Sequence, residues 1–196
     1  MKELWIELLL KEITPNRLMD IIEKIISNFK NNNSLYIGEK VTIAEHMIQT
    51  AMLAEKSKTK NNLVCSCLLH DYGHFILDDP VELVKKNKDG EHEGIGYEYL
   101  KKFFKKEVVE PIKNHVLAKR YLARDKKYFN KLSKASTLSL KLQGGVLNNK
   151  DAKLFEKDKF FKDSIKLRKF DEAAKKVGIK IKDIIDYKDL LKASLR

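Results

Sequence analysis

The residues best suited to chemistry crowd into one stretch of the chain. All five histidines, His46, His70, His74, His92 and His115, fall between positions 46 and 115, and His70 is followed directly by Asp71. One histidine on a helix is ordinarily a packed or solvated side chain. Five on separate helices or helix ends, one of them in a His-Asp pair, are hard to treat as independent. Asp71 follows the apolar Leu63, Val64, Leu68 and Leu69, so its helix is expected to be buried, and an ionised carboxylate at its end needs a strong partner. A metal cation supplies one. Imidazole suits iron, zinc, copper and nickel, and mixing it with several carboxylates favours iron or manganese over structural zinc. Cys65 and Cys67 are not placed as zinc ligands. Lying two apart in an apolar run, they read as reduced core thiols, since a bridge between such near neighbours is strained.

The elements that must carry these residues are helical, with no convincing alternation of strands. Thr14-Pro15 caps a helix over Arg17–Lys30, where Leu18, Ile21, Ile22, Ile25, Ile26 and Phe29 recur at spacings of three and four. Thr42 with Glu45 forms a capping box that opens a helix to about Lys56. An apolar helix from about Asn62 to Tyr72 stops near Gly73. Asp78-Asp79-Pro80 predicts a loop, followed by a short helix to about Asn87 and a turn at Lys88-Asp89-Gly90. Further helices are expected over Glu93–Phe104, Val108–Ala123 with its start near Pro111, Ser133–Gln143, Asp151–Lys157, Lys162–Lys175 and Lys182–Ala193. The fold class is therefore all-α, and 196 residues predict a single domain spanning 1–196.

Composition narrows the partners. Hydrophobic residues are 43% and charged residues 35% of the chain, a globular balance with three prolines and no flexible linker. Leu8–Leu10 is too short to span a bilayer, is preceded by Glu3 and Glu7, and lacks a small-residue cleavage site, so no membrane and a cytoplasmic location are expected. Forty Lys+Arg against twenty-eight Asp+Glu leave a net charge of +12. The basic residues come as scattered pairs without interleaved aromatics, which argues against nucleic acid and for a field that draws in a small anion.

His46, then His70-Asp71, then a distant aspartate resembles the H…HD…D signature of the HD-domain superfamily. Longer stretches are similar to its phosphonate-cleaving branch: Tyr36-Ile37-Gly38-Glu39, His74 four residues after His70, His115 through Leu122, Leu132 through Ser136, Leu140 through Gly145, and Leu167 through Lys175. The similarity runs from about 36 to about 179 and leaves residues 1–30 as an N-terminal helical extension. That branch consists of mixed-valent diiron oxygenases such as the one forming glycine from 2-amino-1-hydroxyethylphosphonate. The resemblance implies an HD-domain helical bundle with a dinuclear site in its core and two iron ions, Fe2+/Fe3+, as cofactor. It implies His46, His70, Asp71 and Asp171 on one iron, and Asp71 bridging to a second held also by His92 and His115. It implies that Tyr36 and Glu39 form a lid, the tyrosine occupying an iron position until substrate displaces it and the glutamate then facing the substrate's ammonium. His74, Lys119, Ser136 and Arg168 would line the substrate pocket.

Spacing supports the pocket separately. Lys119 lies four residues after His115 and Arg168 three before Asp171, so each cation shares a helix face with an implied ligand. Ser136, Ser139 and Gln143 share another. Arginine offers paired hydrogen bonds, lysine a point charge and serine a short neutral donor, a set matched to a tetrahedral dianion beside a metal. The expected function is dioxygen-dependent cleavage of the C–P bond in a 1-hydroxylated organophosphonate. The first-ranked substrate is 2-amino-1-hydroxyethylphosphonate, ahead of its trimethylated counterpart and hydroxymethylphosphonate. The alternative is a dinuclear phosphohydrolase or phosphodiesterase, for which the same six ligands would serve.

Overall fold

The computed structural model describes residues 15–36, 38–76 and 91–196. The loop, short helix and turn expected between Asp78 and Gly90 lie outside the described residues. Ten α-helices occur among them. They are α1 (Pro15–Asn31), α2 (Ile43–Lys56), α3 (Asn61–Leu69), α4 (His92–Leu100), α5 (Lys106–Leu122), α6 (Lys126–Phe129), α7 (Lys134–Leu142), α8 (Asn149–Glu156), α9 (Phe161–Ala173) and α10 (Lys188–Ala193). Short 3-10 turns cover Tyr72–Phe75 and Ile184–Tyr187. Two isolated bridges, Leu35 with Thr42 and Phe104 with Leu195, are the only β pairing among the described residues.

The centre of the bundle is α3, whose residues Leu63 through Leu69 are all buried. A helix apolar on every face has to be wrapped on every side, and α2, α5 and α9 wrap it. Ser66 is tolerated inside because its hydroxyl donates to Val108 O at 2.8 Å. Cys65 and Cys67 are free buried thiols, as their apolar setting implied. The two halves of the α2 capping box are both made: Glu45 N donates to Thr42 Oγ1 at 3.1 Å and Thr42 N to Glu45 Oε2 at 2.7 Å. The helix start fixes the axial position of His46, three residues further on.

In α1, Ile21, Ile22, Ile25, Ile26 and Phe29 are buried in the same cluster as α3, while Glu23, Lys24 and Lys30 face water. The described part of the N-terminal extension is thus packed into the core through this helix.

Four boundaries differ from expectation, one of them being that α4 ends at Leu100 and not at Phe104. The apolar helix ends at Leu69, so His70 caps it and Asp71 opens the 3-10 turn; His74 therefore sits on that turn and not on the helix face of His70. Helix α5 begins at Lys106, five residues before Pro111, which lies inside it. The C-terminal helix is split, because Asp183 and Asp186 form a second capping box around Ile184–Tyr187 before α10 starts.

Candidate metal centre

Five helices and one turn deliver the six implied ligands to one buried point. His46 comes from α2, His70 from the end of α3, Asp71 from the following turn, His92 from the first residue of α4, His115 from α5 and Asp171 from α9, and all are less than a tenth exposed. His46 Nε2 lies 3.2 Å from His70 Nε2 and 3.2 Å from Asp171 Oδ1. His92 Nε2 lies 3.2 Å from His115 Nε2. Asp71 stands between the two groups. Its Oδ2 is 3.3 Å from His70 Nε2 and 3.6 Å from His46 Nε2, and its Oδ1 is 3.2 Å from His92 Nε2 and 3.4 Å from His115 Nε2.

The outer nitrogens show why these inner atoms need a cation. Nδ1 of His46 meets Ala174 O at 2.8 Å, that of His70 meets Cys67 O at 2.9 Å, and that of His115 meets Ile112 O at 2.7 Å. A carbonyl only accepts, so each Nδ1 carries the proton and each Nε2 presents a lone pair inward. Asp71 Oδ1 and Oδ2 and Asp171 Oδ1 are buried with no hydrogen-bond partner. Lone pairs facing one another in a dry core are unfavourable unless a positive charge lies among them. Burial works against charge on the His70 ring, yet with no cation among these atoms Asp71 and Asp171 draw a proton onto it in the metal's place and push its pKa up to about 9. Burial would raise the two carboxyls, but the surrounding imidazoles for Asp71, and Arg168 and His46 for Asp171, hold both well below the usual range. Nitrogen and carboxylate donors in two groups, joined by one carboxylate, fit two metal ions.

His74 brings a further nitrogen to the second group, within 4.8 Å of the ligand atoms of Asp71 and His92. Its ring stacks on His92, centroids 4.2 Å apart, and its Nδ1 is buried without a partner. Burial and the nearby His92 push its pKa down to about 3, so it is a neutral wall against His92. His115, with its Nδ1 tied and its Nε2 aimed at Asp71, has the geometry of a ligand.

Tyr36 lies over His46, ring centroids 4.5 Å apart, and burial beside Asp71 and Asp171 pushes its phenol well above the ordinary value. The loop that carries it closes through Tyr36 N to Val41 O at 2.8 Å and turns at Gly38, whose φ of +75° favours glycine.

Beside the metal ligands lies a cluster of cations. Lys119 is buried and donates to Ser139 Oγ at 2.9 Å; burial and the Arg168 guanidinium push its pKa down to about 7. Arg168 donates to Asp171, to Glu172, to Ser136 Oγ at 3.2 Å and to the Tyr128 hydroxyl at 3.0 Å. Glu39 lies with them, its Oε1 3.5 Å from the Lys175 ammonium, so every candidate residue from Tyr36 to Asp171 is brought to one region.

Four participants were missed. Glu93 Oε2 lies 3.6 Å from His92 Nδ1. Glu172 joins α9 to the start of α7, accepting from Ser133 N at 3.1 Å and Ser136 Oγ at 2.9 Å. Lys175 and Tyr128 complete the surroundings. Glu172 was detectable from its register, four residues after Arg168; nothing local marks Tyr128.

The chain matches the HD domain over residues 43–189. It is 39% identical over 166 residues to the glycine-betaine-forming 1-hydroxy-2-(trimethylamino)ethylphosphonate dioxygenase of Leisingera caerulea, covering 84% of this chain and 85% of that protein. It is 38% identical over 173 residues to a hydroxymethylphosphonate dioxygenase of Gimesia maris, again 84% of this chain and 85% of the relative. An uncharacterized protein of Acanthamoeba polyphaga mimivirus is 36% identical over 187 residues, 91% of this chain and 85% of its own length. The chain belongs to the HD-domain family, and within it to the phosphonate dioxygenases. Its buried His and Asp residues form two groups with the donors to hold metal ions, which fits a dinuclear site in the core. No described helix is long and apolar enough to cross a membrane.

Proposed function

We propose that this protein uses two iron ions and dioxygen to cleave the C–P bond of a 1-hydroxylated organophosphonate, with 2-amino-1-hydroxyethylphosphonate as the preferred substrate. The observation that carries the reading is Asp71, whose two oxygens face two separate histidine groups beside a buried cation cluster, in a chain whose relatives are hydroxyphosphonate dioxygenases. The equation 2-amino-1-hydroxyethylphosphonate + O2 → glycine + phosphate closes in atoms and electrons without a reductant. One new oxygen goes to the carboxyl group and one to phosphate.

One iron would be held by His46, His70, Asp71 and Asp171, the other by Asp71, His92 and His115. When bound, the mixed-valent pair supplies Lewis acidity toward the substrate hydroxyl and the one-electron chemistry that dioxygen requires. The chain supplies aim and charge. Lys119 points its ammonium at the phosphonate, Ser136 supplies its hydroxyl by turning it from Glu172, and Arg168 offsets the charge of Asp171 and Glu172 beside them. The dianion stabilises the ammonium form of Lys119 and so opposes the effect of burial on it. Tyr36 covers His46 and keeps water away until substrate takes its place. His74 stays neutral and holds the His92 ring. Glu39 Oε1, buried with no hydrogen-bond partner, is the acceptor for the substrate's ammonium. On this reading residues 1–196 act as one domain, in the cytoplasm, with α1 as part of the core.

Phosphate release from a panel of hydroxylated phosphonates and phosphate esters, with and without oxygen, tests the reaction. The expected result is release from the phosphonates only, abolished by anoxia. Oxygen-independent release from esters would instead make the protein a phosphohydrolase. Anaerobic iron reconstitution should yield an EPR signal from a coupled Fe(II)/Fe(III) pair, and full activity in iron-free protein would defeat the proposal.

A further inference from the structure

Lys175 is a cation to which the reading above gives no task. It follows α9, and the backbone on either side of it is bound to α2. Ala174 O meets His46 Nδ1 at 2.8 Å, while Lys176 exchanges two hydrogen bonds with the Gln49 side chain, at 3.0 and 2.8 Å. Its side chain is 9% exposed. The ammonium donates to Ser133 Oγ at 3.1 Å and Ser136 Oγ at 2.9 Å, and lies 3.6 Å from Glu172 Oε2. It is also 3.5 Å from Glu39 Oε1 and 5.7 Å from the Tyr36 ring centroid. The loop over the metal centre, the start of α7 and the end of α9 therefore meet on one charge.

Two details define what this pair is suited to hold. Lys175 balances the charge of Glu39 but does not satisfy it, because Glu39 Oε1 has no hydrogen-bond partner. On its other side Lys175 shares Ser136 Oγ with Arg168, whose Nη2 is 3.2 Å from that oxygen, while the Ser136 hydroxyl donates to Glu172, so Lys175 borders the residues assigned to the phosphonate. An acid with an unmet acceptor in loose contact with a base amid polar donors is matched to a molecule that is cationic at one end and anionic at the other.

We propose that Lys175 is a specificity-determining residue: a zwitterionic phosphonate inserts between Glu39 and Lys175, its ammonium replacing Lys175 at Glu39 and its phosphonate taking Lys175 together with Ser136. The proposal rests on the assignment of the neighbouring pocket to a phosphonate. It has a consequence of opposite sign for two kinds of ligand. A zwitterion supplies a new partner to each half of the pair. A phosphonate with no ammonium must draw Lys175 away and leave the buried Oε1 of Glu39 without a cation, so Glu39 opposes its binding.

Calorimetric binding of two unreactive probes, 2-aminoethylphosphonate and ethylphosphonate, to the iron-loaded protein under anoxia tests this. Wild type should prefer the amino compound by about tenfold or more, the range set by a hydrogen bond to a charged group. Glu39→Gln should weaken 2-aminoethylphosphonate about tenfold and tighten ethylphosphonate about threefold. Lys175→Met should weaken both by about tenfold, and Lys175→Arg should recover most of the loss. A structural role for the pair would move both probes in the same direction in Glu39→Gln. That result, an unchanged ethylphosphonate affinity, no preference in wild type, or wild-type binding in Lys175→Met overturns the proposal. Glu39→Gln preserves shape, so the sign test stands even if Lys175→Met does not fold. Oxygen-dependent phosphate release from 2-amino-1-hydroxyethylphosphonate, measured alongside, separates the two ideas. Opposite signs without release leave the zwitterion site and remove the reaction, whereas release without opposite signs does the reverse.

Discussion

Asp71→Asn is expected to yield a folded protein that holds no more than one metal ion per chain, and Asp71→Ala one that holds none firmly. The reason lies in the division of labour between the two carboxylate oxygens. Oδ2 faces His46 and His70, Oδ1 faces His92 and His115, and neither has another partner. An amide keeps the shape but offers a single oxygen, and its NH2 points hydrogens at whichever histidine pair it faces. That pair then loses both an anionic ligand and the space for a cation. Loss of an outer partner of a metal ligand typically lowers affinity or activity about ten- to a hundredfold. Loss of a ligand shared by both ions should exceed this, taking oxygen-dependent phosphate release below about one-hundredth of wild type. Metal analysis and thermal melting check the cause. Iron should raise the melting temperature of wild type, because an ion bound only to the folded state stabilises it by mass action, and the rise should vanish in Asp71→Ala. A variant that keeps two ions and turns over would disprove the bridge.

How much of this was visible before the structure depends on whether the information was local. His46 was placed by the Thr42–Glu45 capping box, because a cap fixes where a helix begins and therefore which face each later residue takes. The pairings of His115 with Lys119 and of Arg168 with Asp171 were also legible, since each lies within one helix turn. The boundaries around His70 were not. Apolar periodicity carried the α3 reading through Tyr72, whereas the helix ends at Leu69 and a tighter turn follows. Nothing local in Leu68 through Tyr72 signals that break. It has chemical value, since the turn places Asp71 between two histidine groups, a position that Asp71 would not share if His70 and His74 lay on one continuous helix. Lys175 and Tyr128 escaped notice for the same reason in stronger form. Each reaches the site through contacts more than thirty residues away in sequence, to Ser136 and Arg168 respectively, and such meetings have no period to detect.

The contact that holds the second half of the centre in place gives the other large effect. Gly73, on the turn after Asp71, lies against the first turn of α4 so closely that a Cβ built on it falls 1.9 Å from His92 O, 2.7 Å from His92 C and 3.0 Å from Gly96 N. These are backbone atoms, which cannot rotate aside. In Gly73→Ala the start of α4 must therefore move away by about 1 Å or more to restore ordinary contact. His92 moves with it, leaving the 3.2 Å approach of its Nε2 to Asp71 Oδ1, and the His74 ring stacked upon it loses its support. His46, His70 and Asp171 ride on α2, α3 and α9, which this contact does not touch. The expected outcome is a protein that retains about one iron per chain, no longer shows the coupled EPR signal, and loses about a hundredfold or more in phosphate release, as a misplacement of that size does elsewhere. Overpacking should lower stability by about 1–3 kcal/mol. Gly94→Ala is the control, because it lies on the same helix with nothing within 4 Å of its Cβ and should raise stability by about 0.5–1 kcal/mol. Gly73→Ala with two irons and wild-type turnover would show that α4 is free to shift without disturbing His92, and that the second group of ligands is not set by this glycine contact.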